Sequence, residues 1–459
     1  MSSPATPAQP VSGVPLGVRI WYGVGSFCTA TFNTIPGLLL LIYMTNVLAV
    51  PAFLAGVVVF LPKAWDLVIN TLVGQWSDKT RSKWGPRRPW LLAGAAVLPL
   101  AYALTFSGPP LTGVPAALFV GLAFLLAATG FAFYEVPYKA MPAEMTTDYH
   151  ERTTLLQWRM IFIAAAIGLS GVLAPIIAGD SLAGYRSMGI IFALILLASM
   201  LASFFGTARA PVVGQVEPEG SLKAQIAAAR TSKPFLWLLG LSCAQTLAAG
   251  VMLAGAPYFA AYTLKDTGAS STLFAALVGP MLVTMPLWVW LAKKLDKKGA
   301  MVLSGSLFAS GALLAVGTPV FGSLYAHLCV VVVGVGYAGL TLLQFSMLAD
   351  VIAHDGTTSG KRRGGVFTGL WTAAESAVAA FGALIYGSTI AAGGFISSDP
   401  AHPVSQPDSA NTAVIIGLTI VPAVIALSGV YMTLKYDLDA RKLASATPLL
   451  GGEGATASG

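Results

Sequence analysis

Lys63, Asp66 and Asn70 stand three and four residues apart inside a stretch, Phe53 to Val73, that is otherwise apolar. On a helix, residues three and four apart share a face, so these three side chains meet. A charge at the centre of a bilayer costs at least about 2.5–3.5 kcal/mol, which makes ionisable groups in such a stretch candidate sites for an ion, a proton or a polar solute. The same criterion selects Glu135 with Lys139 four residues on, Arg159, and Glu375 four residues after Trp371. A lone carboxylate held out of water is suited to bind and release a proton, and together with amide and hydroxyl oxygens it can ligate sodium. Structural alternatives stand beside each. Lys63 can pair with Asp66 alone, Lys139 can merely neutralise Glu135, Arg159 can snorkel to the membrane surface, and Glu375 can pair with a loop arginine.

The elements that must carry these residues follow from composition. The chain has 459 residues, 56% of them hydrophobic and 10% charged, against about 25% charged in a soluble globular protein. It reads as an integral membrane protein whose apolar runs match the roughly 20 residues a helix needs to cross about 30 Å of hydrocarbon. A barrel would show short alternating segments instead. Twelve helices are expected near 20–46, 52–75, 89–108, 114–139, 154–178, 187–207, 234–262, 271–293, 300–319, 324–352, 365–392 and 411–434. Basic loops alternate with neutral ones, and because basic residues near helix ends are retained in the cytoplasm, both termini are expected there. The formal charge of +7 is then a matter of topology and calls for no nucleic-acid partner. The polar stretch 208–233 divides the helices six and six. The expected organisation is a disordered tail at 1–18, a bundle at 19–207, a cytoplasmic linker at 208–233, a second bundle at 234–434 and a cytoplasmic tail at 435–459. Asp78-Lys79 follows the second helix and Asp296-Lys297 follows the eighth, about half a chain later. That is the mark of a parallel repeat, as in transporters whose halves rock about a midplane site.

The loop "GQWSDKTRSKWGPRRPW" (74–90) resembles the stretched loop between helices two and three of the major facilitator superfamily. With "WD" at 65–66, "YGVGSF" (22–27), "EVPYKAMPAEMTTDYHERT" (135–153) and "SMLADVIAHDGTTSGKRRGGVFTGLW" (346–371), the chain is similar to the glycoside-pentoside-hexuronide:cation symporters, the melibiose-permease group. The resemblance implies an all-α membrane fold of twelve transmembrane helices in two pseudo-symmetric six-helix bundles, and cation-coupled symport by alternating access. It assigns cation coupling to Asp66, Asn70 and Glu135. Family members carry aspartates at the positions of both Asp66 and Asn70, so Asn70 is a departure, and it favours proton over sodium. The resemblance places Lys139, Arg159, Trp371, Glu375 and Ser376 along the substrate cavity. Where the melibiose permease has an aromatic residue beside the sugar this chain has Lys139, which suggests a solute with an anionic group. Ser376 replaces a helix-eleven lysine and Ala30 replaces a sugar-binding aspartate, so the galactoside does not carry over. The loop motif implies a cytoplasmic gate in which Asp78 caps a helix or pairs with Arg87 and Arg88. Asp296 would repeat that role in the second half, and Asp350 and Asp355 would pair around Arg362 and Arg363.

Cys28, Cys243 and Cys329 lack metal or disulfide spacing, and His150, His327, His354 and His402 show no ligand pattern. No nucleotide-binding or hydrolase fingerprint appears. The chain therefore reads as no enzyme, with no catalytic residues, no metal and no cofactor beyond a coupling H+ or Na+. It is expected to act as a monomer on a small molecule in a bacterial inner membrane. Two alternatives remain: a lysolipid or amphiphile carrier of the same fold, and a non-transporting receptor.

Overall fold

The computed structural model describes residues 13–109, 111–146, 148–211, 232–359 and 364–438. Most of the 208–233 linker, both distal tails, Arg362 and Arg363 lie outside the described residues. Helices α1 (Leu16–Asn46), α2 (Ala52–Lys79), α3 (Arg88–Phe106), α4 (Gly113–Met145), α5 (Tyr149–Ala178) and α6 (Leu182–Gly206) make the first half. The second begins with α7 (Lys233–Thr263) and a continuous apolar stretch, Ala269–Asp355. That stretch breaks at Asp296 (φ 61°) and Gly322 (φ 80°), so it holds three helices, α8 (269–295), α9 (297–321) and α10 (323–359). Gly322 takes a positive φ at no steric cost, whereas Asp296 sits in a region most residues avoid. Helices α11 (Gly364–Ala392) and α12 (Asp408–Lys435) complete twelve among the described residues.

Several helices run further than their charged residues suggested. α2 continues to Lys79, so Asp78 lies in its last turn and not beyond it. α4 continues past Lys139 to Met145, with Pro137 and Pro142 inside it. α5 and α6 start earlier, where the Asp148 and Ser181 side chains accept the Glu151 and Gly184 amides. Apolar runs mark where hydrocarbon ends, but caps mark where helices end.

Within the first half α1 packs on α5 and α6, and α3 and α2 pack on α4; within the second, α10 packs on the α8–α9 pair and α12 on α7. A methyl at Gly94 would come within 2.9 Å of the Gly130 carbonyl, so bare backbone is what brings α3 and α4 together. The halves meet along α1 and α7, α2 and α11, and α5 and α8. Thr45 Oγ1 lies 2.6 Å from the Tyr258 hydroxyl, and Asn46 Nδ2 donates to the Tyr262 hydroxyl at 2.8 Å. The loop before α12 adds Ser398 N to Thr45 O (2.9 Å), while Ala49 N donates to Ser398 O (3.1 Å). The Phe60 and Phe381 rings stand 4.8 Å apart. All these contacts gather at the end of the bundle remote from the basic loop 80–87.

Gly387 is a critical point of that closure, since a Cβ there would fall 2.8 Å from the Ala52 carbonyl. Gly387→Val is expected to cost about 1–3 kcal/mol by overpacking, read as a lower thermal-unfolding midpoint in detergent. An unchanged midpoint would mean the two backbones are not in close approach.

Candidate functional site

The first-half site is built on α1, α2, α4 and α5. Glu135, buried on α4, accepts through Oε1 from Lys139 Nζ at 2.9 Å and Arg159 Nη2 at 3.3 Å. Its Oε2 accepts from Thr29 Oγ1 at 2.5 Å. The Lys139 pair is an i,i+4 pair on one helix, and Arg159 reaches in from α5, so Arg159 does not snorkel to the surface. Lys139 stays 47% exposed while Glu135 is 5% exposed, so the cation faces open space and the anion does not. Tyr22, Tyr138 and Tyr134 stack in that order behind this cluster, with successive ring centroids 4.6 and 5.2 Å apart, and the Arg159 guanidinium lies 5.7 Å from the Tyr138 ring.

Lys63 does not bind Asp66. It donates to Asn33 Oδ1 at 2.6 Å and stands 5.5 Å from the Phe32 ring. Asn33 Nδ2 in turn donates to Thr29 O at 2.8 Å. A polar chain thus runs from Lys63 through Asn33 and Thr29 to Glu135. Asp66 is left 8% exposed, and its Oδ1 is buried without a hydrogen-bond partner. Such an oxygen costs free energy unless a proton or cation completes it during the working cycle. Asn70 sits one turn below Asp66 and is half-buried.

In the second half, Glu375 is half-buried and accepts from Ser242 on α7; the loop arginines of the alternative reading lie outside the described residues. Trp371 is 2% exposed and packs with Phe345 at 6.3 Å; the expected aromatic platform is core in this state. Ser376 is exposed beside it. Nearby, Gln245 bridges α7 to α10 by donating to Thr341 at 3.1 Å.

The gate residues are partly rearranged. Arg87 Nη1 pairs with Asp78 at 2.6 Å, and Nη2 pairs with Glu144 at 2.6 Å, while Ser77 accepts from Nη1 at 2.7 Å. Burial opposes the guanidinium charge, but hydrogen bonds to Glu144 and Asp78 more than offset it and hold Arg87 above its ordinary range. Arg88 instead donates to Phe204 O at 2.9 Å and stacks over the Phe204 ring, so it is no partner of Asp78. In the second half the latch is Lys297 to Asp350 at 2.5 Å. Asp296 supplies the break between α8 and α9 and not the pair, because its backbone leaves the helix there. Both halves therefore tie the loop after their second helix to an acid near the end of their fourth, Glu144 or Asp350. Thr29, Asn33, Glu144 and Ser242 were not singled out from sequence. Only the i,i+4 spacing of Thr29 and Asn33 on the face next to "YGVGSF" signals them.

Twelve apolar helices in two packed halves, with paired charges inside the helical stretches, define a membrane transporter of the major facilitator fold. Residues 21–440 match the family described as MFS/sugar transport protein, and the chain belongs to that family. It is 28% identical to the uncharacterized symporter sll1374 of Synechocystis, over 92% of this chain and 94% of that one. It is 26% identical to the inner membrane symporter YicJ of Escherichia coli, over 91% of each. A solved bacterial homolog of the human lysosomal transporter Spinster superposes with TM-score 0.68 at 12% identity, covering 93% of this chain and 98% of that one, a likeness of fold. The match bears out the resemblance to glycoside-pentoside-hexuronide symporters. The protein is a multi-pass membrane secondary transporter of small molecules and not an enzyme.

Because Arg87 and Glu144 are each 11% exposed, removing Arg87 strands Glu144, whereas removing Glu144 leaves Arg87 with Asp78 and Ser77. Arg87→Met is expected to destabilise by about 3–5 kcal/mol, with Arg87→Met/Glu144→Leu recovering much of the loss. Thermal unfolding of the single and double variants checks this, and additive losses would contradict it.

Proposed function

We propose that the chain is a proton-coupled symporter of a small, polar, glycoside-like solute that carries an anionic group, working as a monomer in a bacterial inner membrane. The observation that carries this is the pairing of one buried carboxylate, Glu135, with two cations, Lys139 and Arg159, one of which is exposed. The cluster has one positive charge in excess, in a setting where charge is expensive, and a solute carboxylate or similar anion would balance it. The sugar-transport family supports the glycoside-like part of the assignment.

Asp66 is the coupling residue. Its unpartnered oxygen, the Lys63 ammonium drawn away to Asn33, and an amide in place of a second carboxylate at Asn70 all suit a proton better than sodium. Glu135, held by two cations and a hydroxyl, serves the solute side of the site. No other cofactor is required.

The excess of Lys and Arg in alternate loops orients those loops, the termini and the 208–233 linker toward the cytoplasm. The closed end carrying Thr45, Tyr258 and Phe381 is then periplasmic, and the described state opens inward. Asp78, Arg87 and Glu144 in one half, and Lys297 and Asp350 in the other, brace the cytoplasmic ends of the two bundles.

Proteoliposomes given a methyl glucuronide as probe test the assignment. Wild-type protein should accumulate the probe under an inward proton gradient without sodium, and Asp66→Asn should lose accumulation while retaining exchange of probe for probe. Accumulation that survives Asp66→Asn, or that needs sodium, would overturn it. Stabilisation by lysophospholipids alone would replace the solute class.

A further inference from the structure

α2 and α11 run antiparallel with a regular register. Gly387 meets Ala52, Gly56 meets Ala383 and Leu384, and Phe60 meets Phe381. Asp66 lies six residues beyond Phe60, and Glu375 lies six residues before Phe381. At 1.5 Å per residue both carboxylates stand about 9 Å from the Phe60–Phe381 contact, at matched depth in opposite halves.

The three membrane carboxylates fall into two kinds. Glu135 is neutralised by Lys139 and Arg159. Asp66 and Glu375 make no direct ion pair among the described residues, although Lys63 and Lys139 act on Asp66 from a distance. Around Asp66 stand Lys63 on α2, drawn to Asn33 on α1, and Lys139 on α4, drawn to Glu135. Around Glu375 stand Ser242 and Cys243 on α7, Tyr337 on α10 and Trp371 on its own helix, and none of these is a cation. A carboxylate in that setting must spend part of the cycle holding a proton or a bound cation, because an unpaired charge in hydrocarbon is too costly to reorient.

The geometry points to Glu375, supported by Ser242, as a second coupling site, so that each half carries one cation and two move with each solute. This rests on the proton-coupled assignment of Asp66 above and extends it to a residue otherwise expected to contact the solute. Two protons with one monoanion carry one net positive charge, so transport is driven by membrane potential as well as by the pH gradient, whereas one proton would make it electroneutral.

Dicyclohexylcarbodiimide, which reacts with protonated carboxyls in apolar surroundings, tests this on the purified wild-type protein without any solute, with adducts mapped by mass spectrometry. Adducts are expected at both Asp66 and Glu375, with none at Glu135. Labelling of Asp66 without Glu375, or of neither, overturns the second site. Labelling of Glu375 without Asp66 overturns the Asp66 assignment and with it the count of two cations, leaving Glu375 as a single coupling site. If sodium suppresses both adducts, the second site stands and the coupling ion is sodium. As an independent check, Glu375→Gln should lose the second adduct, keep the one at Asp66, and make probe uptake insensitive to membrane potential; uptake that stays potential-driven contradicts the proposal.

Discussion

Glu135 divides one carboxylate oxygen between Lys139 and Arg159, and the arrangement of the first half depends on that sharing. A carboxylate buried between helices in a bilayer needs a cation, and two cations around one anion then need something further. α4 supplies the acid and one base a turn apart, while α5 is held against α1 and α4 so that Arg159 can reach across. Thr29 and Asn33 extend the network to Lys63, which removes the cation nearest Asp66 in sequence. The consequence is a separation of tasks within one bundle: a positive cluster suited to an anion, and a bare carboxylate suited to a proton.

The two ends of the molecule are closed by different chemistry. At the remote end, small residues let α2 and α11 touch, and neutral hydrogen bonds such as Thr45 to Tyr258 bridge the halves. At the basic end, the pairs Arg87–Glu144 and Lys297–Asp350 lie within each half and not between them. Ion pairs, buried at Arg87–Glu144 and part-exposed at Lys297–Asp350, brace each bundle, and neutral contacts between the bundles can be exchanged at modest cost, as rocking requires.

Much of this was legible in the sequence, and the limits have physical causes. The twelve helices, the division into halves and the family followed from apolar length, loop charge and motif. Helix ends did not, because capping by Asp148 and Ser181 and the continuation of α4 to Met145 depend on local hydrogen bonds and not on hydrophobicity. Asp66, Glu135, Lys139 and Arg159 stand out in the sequence because charge in hydrocarbon is conspicuous, and the structure brings the last three together. The Glu135–Lys139 pair follows from its i,i+4 spacing and stands in the structure, whereas the reach of Arg159 to Glu135 and of Lys63 to Asn33 crosses between helices and has no signal in the spacing. Asp296 was read as half of a repeated latch, yet the repeat is preserved through Lys297 and Asp350, because the second half spends its aspartate on a backbone break. Arg362 and Arg363 lie outside the described residues.

The central claim is that excess positive charge at Lys139 and Arg159 selects an anionic solute. Affinity of the purified protein for a methyl glucuronide and for the matching neutral methyl glucoside, measured by calorimetry at one pH, tests it most directly. The account predicts that the glucuronide binds more tightly by at least about tenfold, or about 1.4 kcal/mol, and that Lys139→Gln removes most of that preference. Equal affinity for the two, or a preference for the neutral glycoside, would contradict it.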